Sequence, residues 1–198
     1  MKDITNLFGN YRILLASQSP RRKELLEGMQ INFELKKIEV EESYPSSILV
    51  EEIPEYLSQK KAQTAIVGIK ENELVICADT IVICDDKVLE KPLNIAEAIS
   101  MLETLSGNKH EVISGVCIAN SSRQHSFSVK TQVFMKKLSI SEITHYVENF
   151  KPYDKAGAYG IQEWIGLIGV EKIEGSFYNV MGLPTKEFYE ALIEFCKK

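Results

Sequence analysis

The segment ELVICADTIVIC, residues 73–84, is apolar from Leu74 to Cys84 except at Asp79 and Thr80. A run of this length reads as a strand, and Asp85 and Asp86 turn it into the short return KVLEKP. Similar runs recur between helical patterns. RILLAS reads as a buried strand, INFELKKIEV alternates as a second, and HEVISGVCIAN and HSFSVKTQVFMKKL read as long strands joined by a polar turn over residues 121–124. LIGVEKI and SFYNV are expected to form a further strand pair. Between these lie helices with identifiable ends. Ser19 caps one that opens with Pro20, where a missing N–H costs nothing. Residues 54–66 put Leu57, Ala62, Ala65 and Ile66 on one face, and Asn94 starts a helix that Gly107 stops. Ser139 and Glu142 form a capping box for a helix ending near Phe150, and Pro184 opens a last helix with Phe188, Leu192 and Phe195 on one face. Strands alternating with helices predict an α/β fold.

At 198 residues and 44% hydrophobic content, the chain can bury a normal core as one large domain or two small lobes. No repeat or linker divides it, so the expectation is a single domain over residues 1–198 whose lobes share one core. The net charge of -5 weighs against a nucleic-acid or anionic-membrane partner, which would reward an excess of Lys and Arg. Neither an N-terminal targeting segment nor a bilayer-length apolar run is evident, and a cytoplasmic protein is expected. Cys77, Cys84, Cys117 and Cys196 show neither CxxC spacing nor a Cys/His cluster, so buried reduced thiols are expected. His110, His125 and His145 are scattered and read as surface residues of strands or helices rather than metal ligands.

Several segments carry residues suited to chemistry. In ASQSPRRKELL, residues 16–26, a helix start with unpaired N–H groups lies beside Ser17, Ser19, Arg21 and Arg22. That set suits phosphate oxygens, and equally a capped helix with solvated arginines. Asp79 is a lone carboxylate in an apolar strand, so it must be paired, near a metal or at a cleft edge, either as a structural aspartate or as a catalytic one. Thr80 would point to the opposite face of a regular strand, and one site using both requires the strand to end or bulge there. Glu41, Glu42, Lys61 and Lys91 each read individually as solvated charges. KPYDKAGAYGIQEWIG is glycine-rich and aperiodic, as a functional or structural loop would be. GAYG lacks the basic cluster of a nucleic-acid clamp, and no Walker A or GxGxxG element exists.

Taken in order, ASQSPRR, ICADTIV, LEKP, LSGNKHEV, DKAGAYGIQ and VMGLP make the chain resemble the Maf family of nucleoside triphosphate pyrophosphatases over nearly its whole length. The resemblance implies an elongated mixed central sheet with flanking helices and a cleft between two lobes. It implies hydrolysis of a nucleoside triphosphate to the monophosphate and pyrophosphate, assisted by magnesium or manganese, and a homodimer as the common assembly. By similarity Asp79 would be the general base. Arg21, Thr80 and Gln162 match positions linked to base preference in the branch acting on dTTP and UTP, and Ser17, Arg22, Glu42, Lys61 and Lys91 match further active-site positions. Glu42 and Asp79 are the oxygen ligands such a metal would take. Gln162 offers a donor and an acceptor to a pyrimidine edge. Two other functions stand beside this one: a nucleotide-binding regulator, since family members have been associated with inhibition of septum formation, and a pyrophosphatase for another modified nucleotide.

Overall fold

β3 (Glu73–Cys84) is buried along almost its whole length and organises the fold. The computed structural model describes residues 8–197. β1 (Arg12–Leu15) pairs in parallel with β3 on one side and with β2 (Phe33–Leu35) on the other. β4 (Lys87–Leu89) returns antiparallel to β3. β5 (Lys109–Ala119), β6 (Gln124–Met135) and β7 (Val170–Glu174) complete a seven-stranded mixed sheet in the order β2-β1-β3-β5-β6-β7, with β4 beside β3. The helices are α1 (Pro20–Gly28), α2 (Ile53–Ala65), α3 (Ile95–Leu105), α4 (Ile140–Phe150), α5 (Trp164–Gly169), α6 (Phe177–Met181) and α7 (Thr185–Lys197). None of the described helices is long and apolar enough to cross a membrane. The chain is therefore α/β, as its alternating pattern predicts. Its described residues divide into two compact units: residues 8–79, 114–129 and 182–197 form the first, residues 80–113 and 130–181 the second.

In the first unit small residues bring a helix close to the sheet. Ala62 and Ala65 of α2 are wholly buried against Leu14, Ala16, Val75, Cys77, Cys117 and Ala119. At the start of α2 the approach is closer still, because a Cβ on Gly115 of β5 would sit 2.2 Å from the Pro54 carbonyl carbon. Only glycine fits there, and this contact fixes the height of α2 over the strands. α7 buries Phe188, Leu192 and Phe195, the stripe its sequence predicts.

In the second unit, Asp85 (φ 49°) and Asp86 (φ 59°) make the two-residue turn from β3 to β4 with both residues left-handed, the geometry that matches strand twist. Asn94 caps α3 by accepting from the Glu97 amide at 2.9 Å, and Ala98, Leu102 and Leu105 are fully buried. α4 carries the full capping box: Ser139 Oγ accepts from the Glu142 amide and Glu142 accepts from the Ser139 amide.

Three expectations are corrected. SFYNV forms no strand: Phe177–Met181 is α6, started by Ser176, whose Oγ accepts from the Asn179 amide at 3.3 Å. The buried Asn179 side chain also donates to the Val112 carbonyl at 3.1 Å and to Thr131 Oγ1 at 3.0 Å, which ties the helical turn to β5 and β6. In INFELKKIEV only Phe33–Leu35 pairs as a strand, with β1. His110 is not a surface residue. It is 1% exposed, with Nε2 2.7 Å from the Tyr159 hydroxyl. All four cysteines are free; Cys77, Cys84 and Cys117 are buried and Cys196 is partly buried.

Candidate active site

The β1–α1 connection builds the first part of the site. Ser19, extended in backbone, caps α1 by accepting from the Arg22 amide at 3.4 Å, while its own N–H donates to Ser17 Oγ at 3.2 Å. The Arg22 guanidinium folds back over the same turn. Nη1 donates to Ser17 Oγ at 3.3 Å, and Nε donates at 2.8 Å to the Gly182 carbonyl, 160 residues along the chain. Burial lowers the affinity of this guanidinium for its proton, opposed by the fields of Asp79 and Glu42. Arg21 lies beside it at the head of α1, partly exposed. ASQSPRR is thus both a helix cap and a polar seat, in which Arg22 is fixed by protein contacts.

α2 supplies the second part. Because α2 sits close to the sheet, Lys61 reaches β3: its Nζ is 2.5 Å from Asp79 Oδ1 and 2.7 Å from Glu42 Oε1. The Lys61 and Asp79 side chains are each 12% exposed, whereas that of Glu42 is 49% exposed. Holding one cation between two carboxylates offsets the repulsion that would drive them apart. Lys60, next along α2, donates to the Ser43 carbonyl and to Ser43 Oγ, both at 2.9 Å, and so anchors the loop that carries Glu42. Beneath this group burial pushes the Cys77 thiol up to about 12, so Cys77 is an inert filler rather than a nucleophile.

The first unit therefore brings together Ser17, Arg21, Arg22, Glu42, Lys61 and Asp79. Thr80, Lys91 and Gln162 belong to the second. β3 does not end between Asp79 and Thr80, but the boundary between the units falls there. Lys91 is exposed just after β4. Gln162 is partly buried, and its Oε1 is buried with no hydrogen-bond partner among the described residues. Sequence reasoning missed Lys60, the Gly182 carbonyl and the side chains around Gln162. No local pattern marks any of them.

A strand-to-helix turn in which Ser19 caps α1 and Arg22 is fixed, beside a lysine held by two acids, gathers cationic and acidic side chains in one unit of an α/β protein. The Maf-like protein family matches residues 12–195, and the chain belongs to this family. Similar proteins include a dTTP/UTP pyrophosphatase of Parabacteroides distasonis, 52% identical over 93% of this chain and 96% of its own length. A dTTP/UTP pyrophosphatase of Bacteroides thetaiotaomicron is 49% identical over 92% of this chain and 95% of its own length. One of Cytophaga hutchinsonii is 50% identical over 94% and 85% respectively.

Proposed function

We propose that this chain hydrolyses nucleoside triphosphates, dTTP and UTP foremost, to the monophosphate and pyrophosphate, and so acts on the cytoplasmic nucleotide pool. The observation that carries the reading is the Asp79–Lys61–Glu42 arrangement, in which a nearly buried carboxylate midway along an apolar strand is joined through Lys61 to a half-exposed one. Relatives of about half-identical sequence bearing that activity in their names support the same reading. Asp79 Oδ1 is engaged by Lys61, and Oδ2 is the oxygen we assign to the attacking water. It accepts the water proton as the oxygen adds to phosphorus at the α–β anhydride and pyrophosphate departs with the electron pair of the broken P–O bond. Arg21, Arg22 and Lys61 face the phosphate charge from the first unit; Ser17 holds Arg22 in place. We assign base preference to Arg21, Thr80 and Gln162, and a phosphate contact to Lys91.

Among the described residues no group of three or more His, Cys, Asp or Glu could cage a metal. Glu42 and Asp79, brought to one lysine, fit a magnesium ion that takes one or two carboxylates and fills its remaining positions with water and phosphate oxygen. When bound, such an ion supplies charge neutralisation on the phosphates. The test is pyrophosphate release from dTTP and UTP in magnesium buffer. Asp79→Asn is expected to slow turnover by on the order of a hundredfold or more, the scale of a lost general base. Turnover near that of the native chain in a folded Asp79→Asn protein overturns the mechanism.

A further inference from the structure

Gln162 rides on a tight turn closed by the Glu163 amide donating to the Gly160 carbonyl at 3.0 Å. That turn is tied to α4 at both ends. The wholly buried Tyr146 donates its hydroxyl to Glu163 Oε2, and the same hydroxyl oxygen accepts from the Gly160 amide at 3.0 Å. Glu163 Oε1 meets Lys155 Nζ at 3.1 Å, and Lys155, itself 7% exposed, also contacts Asp154 Oδ1 at 2.7 Å. Trp164 packs edge-on to His145 of α4 at 5.0 Å. The fit is tight, because a Cβ on Gly160 would lie 2.8 Å from the Glu163 carboxyl carbon and force that carboxylate to shift. Burial first, and then the Glu163 contact, push the Tyr146 phenol far above its usual range, so it stays a donor.

Nothing in the chemistry assigned above uses this largely buried network, and burying charge is costly unless good geometry and further hydrogen bonds offset it, as the Tyr146 bond does here. We propose that Tyr146, Glu163 and Lys155 form a clamp that fixes the Gly160–Glu163 turn and so holds the Gln162 backbone at one place, from which its carboxamide meets the pyrimidine. The proposal rests on the reading of Gln162 as a base contact. A carboxamide carries one acceptor and one donor group, and uracil or thymine presents N3–H and O4 where cytosine presents N3 and N4–H. Turned over, the same amide matches the other base. A turn that shifts lets the carboxamide adapt to either edge, whereas a fixed turn limits the edges it can pair with and leaves the polar groups of a wrong base unpaired. Gln162 Oε1 is buried without a hydrogen-bond partner among the described residues, so the carboxamide has an acceptor still to satisfy.

The experiment measures kcat/KM for dTTP and for dCTP with Tyr146→Phe, Glu163→Gln and Gln162→Ala. The ratio of the two constants is independent of how much enzyme is folded, so a merely structural loss leaves it unchanged. Tyr146→Phe is expected to lower the dTTP-to-dCTP ratio by about tenfold, chiefly through a raised KM for dTTP with kcat within about twofold, and Glu163→Gln to lower it in the same direction. If Gln162→Ala shifts the ratio and neither clamp variant does, the clamp is overturned and Gln162 keeps its role. If the clamp variants shift it and Gln162→Ala does not, Gln162 is not the base contact and the presentation of its carboxamide is overturned. If no variant shifts it, both readings fall.

Discussion

Acidification should destabilise the protein through His110. The imidazole is 1% exposed, its Nε2 lies 2.7 Å from the Tyr159 hydroxyl, and the two rings meet edge to face at 5.3 Å. Its Nδ1 has no hydrogen-bond partner among the described residues. Burial pushes its pKa from the ordinary 6.5 down to about 4. The folded state therefore holds the ring neutral over a range in which the unfolded chain already binds a proton. Stability is complete above pH 6.5, falls as pH drops from 6.5 toward 4, and changes no further below that through this group. At about 1.4 kcal/mol per pH unit the full loss is about 3 kcal/mol, a large share of a typical 5–15 kcal/mol. Urea unfolding of the native chain and of His110→Gln, compared at pH 6.5 and 5, measures the effect: about 2 kcal/mol should separate the two pH dependences. Parallel dependences would refute the assignment of a neutral, buried imidazole.

Two further outcomes follow from packing and capping. Gly115→Ala places a methyl against the Pro54 backbone, so α2 must lift; overpacking of this kind costs about 1–3 kcal/mol, read as a lowered urea midpoint, and dTTP turnover should fall with it because Lys61 moves away from Asp79. Ser139→Ala removes the capping box of α4 and should cost about 1 kcal/mol, seen as a thermal midpoint about 2–4 °C lower.

Local chemistry was legible in the sequence wherever neighbours in the chain are neighbours in space. The Ser19, Asn94 and Ser139 caps, the Asp85–Asp86 turn and the apolar stripe of α7 are all where their residue types predict. SFYNV was misread because Phe, Tyr and Val favour strands, whereas the helix is decided by the Ser176 cap and by Asn179 reaching β5 and β6. The candidate site was legible as a set of residue types whose partners were not. Asp79 had to be paired, but that Lys61 would pair it depends on how closely α2 can approach, which Gly115 decides from a distant strand. Likewise no local pattern marks Tyr146, and only the fold shows that its hydroxyl serves the turn beside Gln162.

The bond from Arg22 to the Gly182 carbonyl bears on how the site is completed. Ser17 holds Arg22 locally, whereas the Gly182 carbonyl lies 160 residues further along the chain and is made only after the sheet strands between them. The seat at the head of α1 therefore takes its final form through a long-range closure of the first unit, and the phosphate role proposed for it depends on that closure as much as on the local turn.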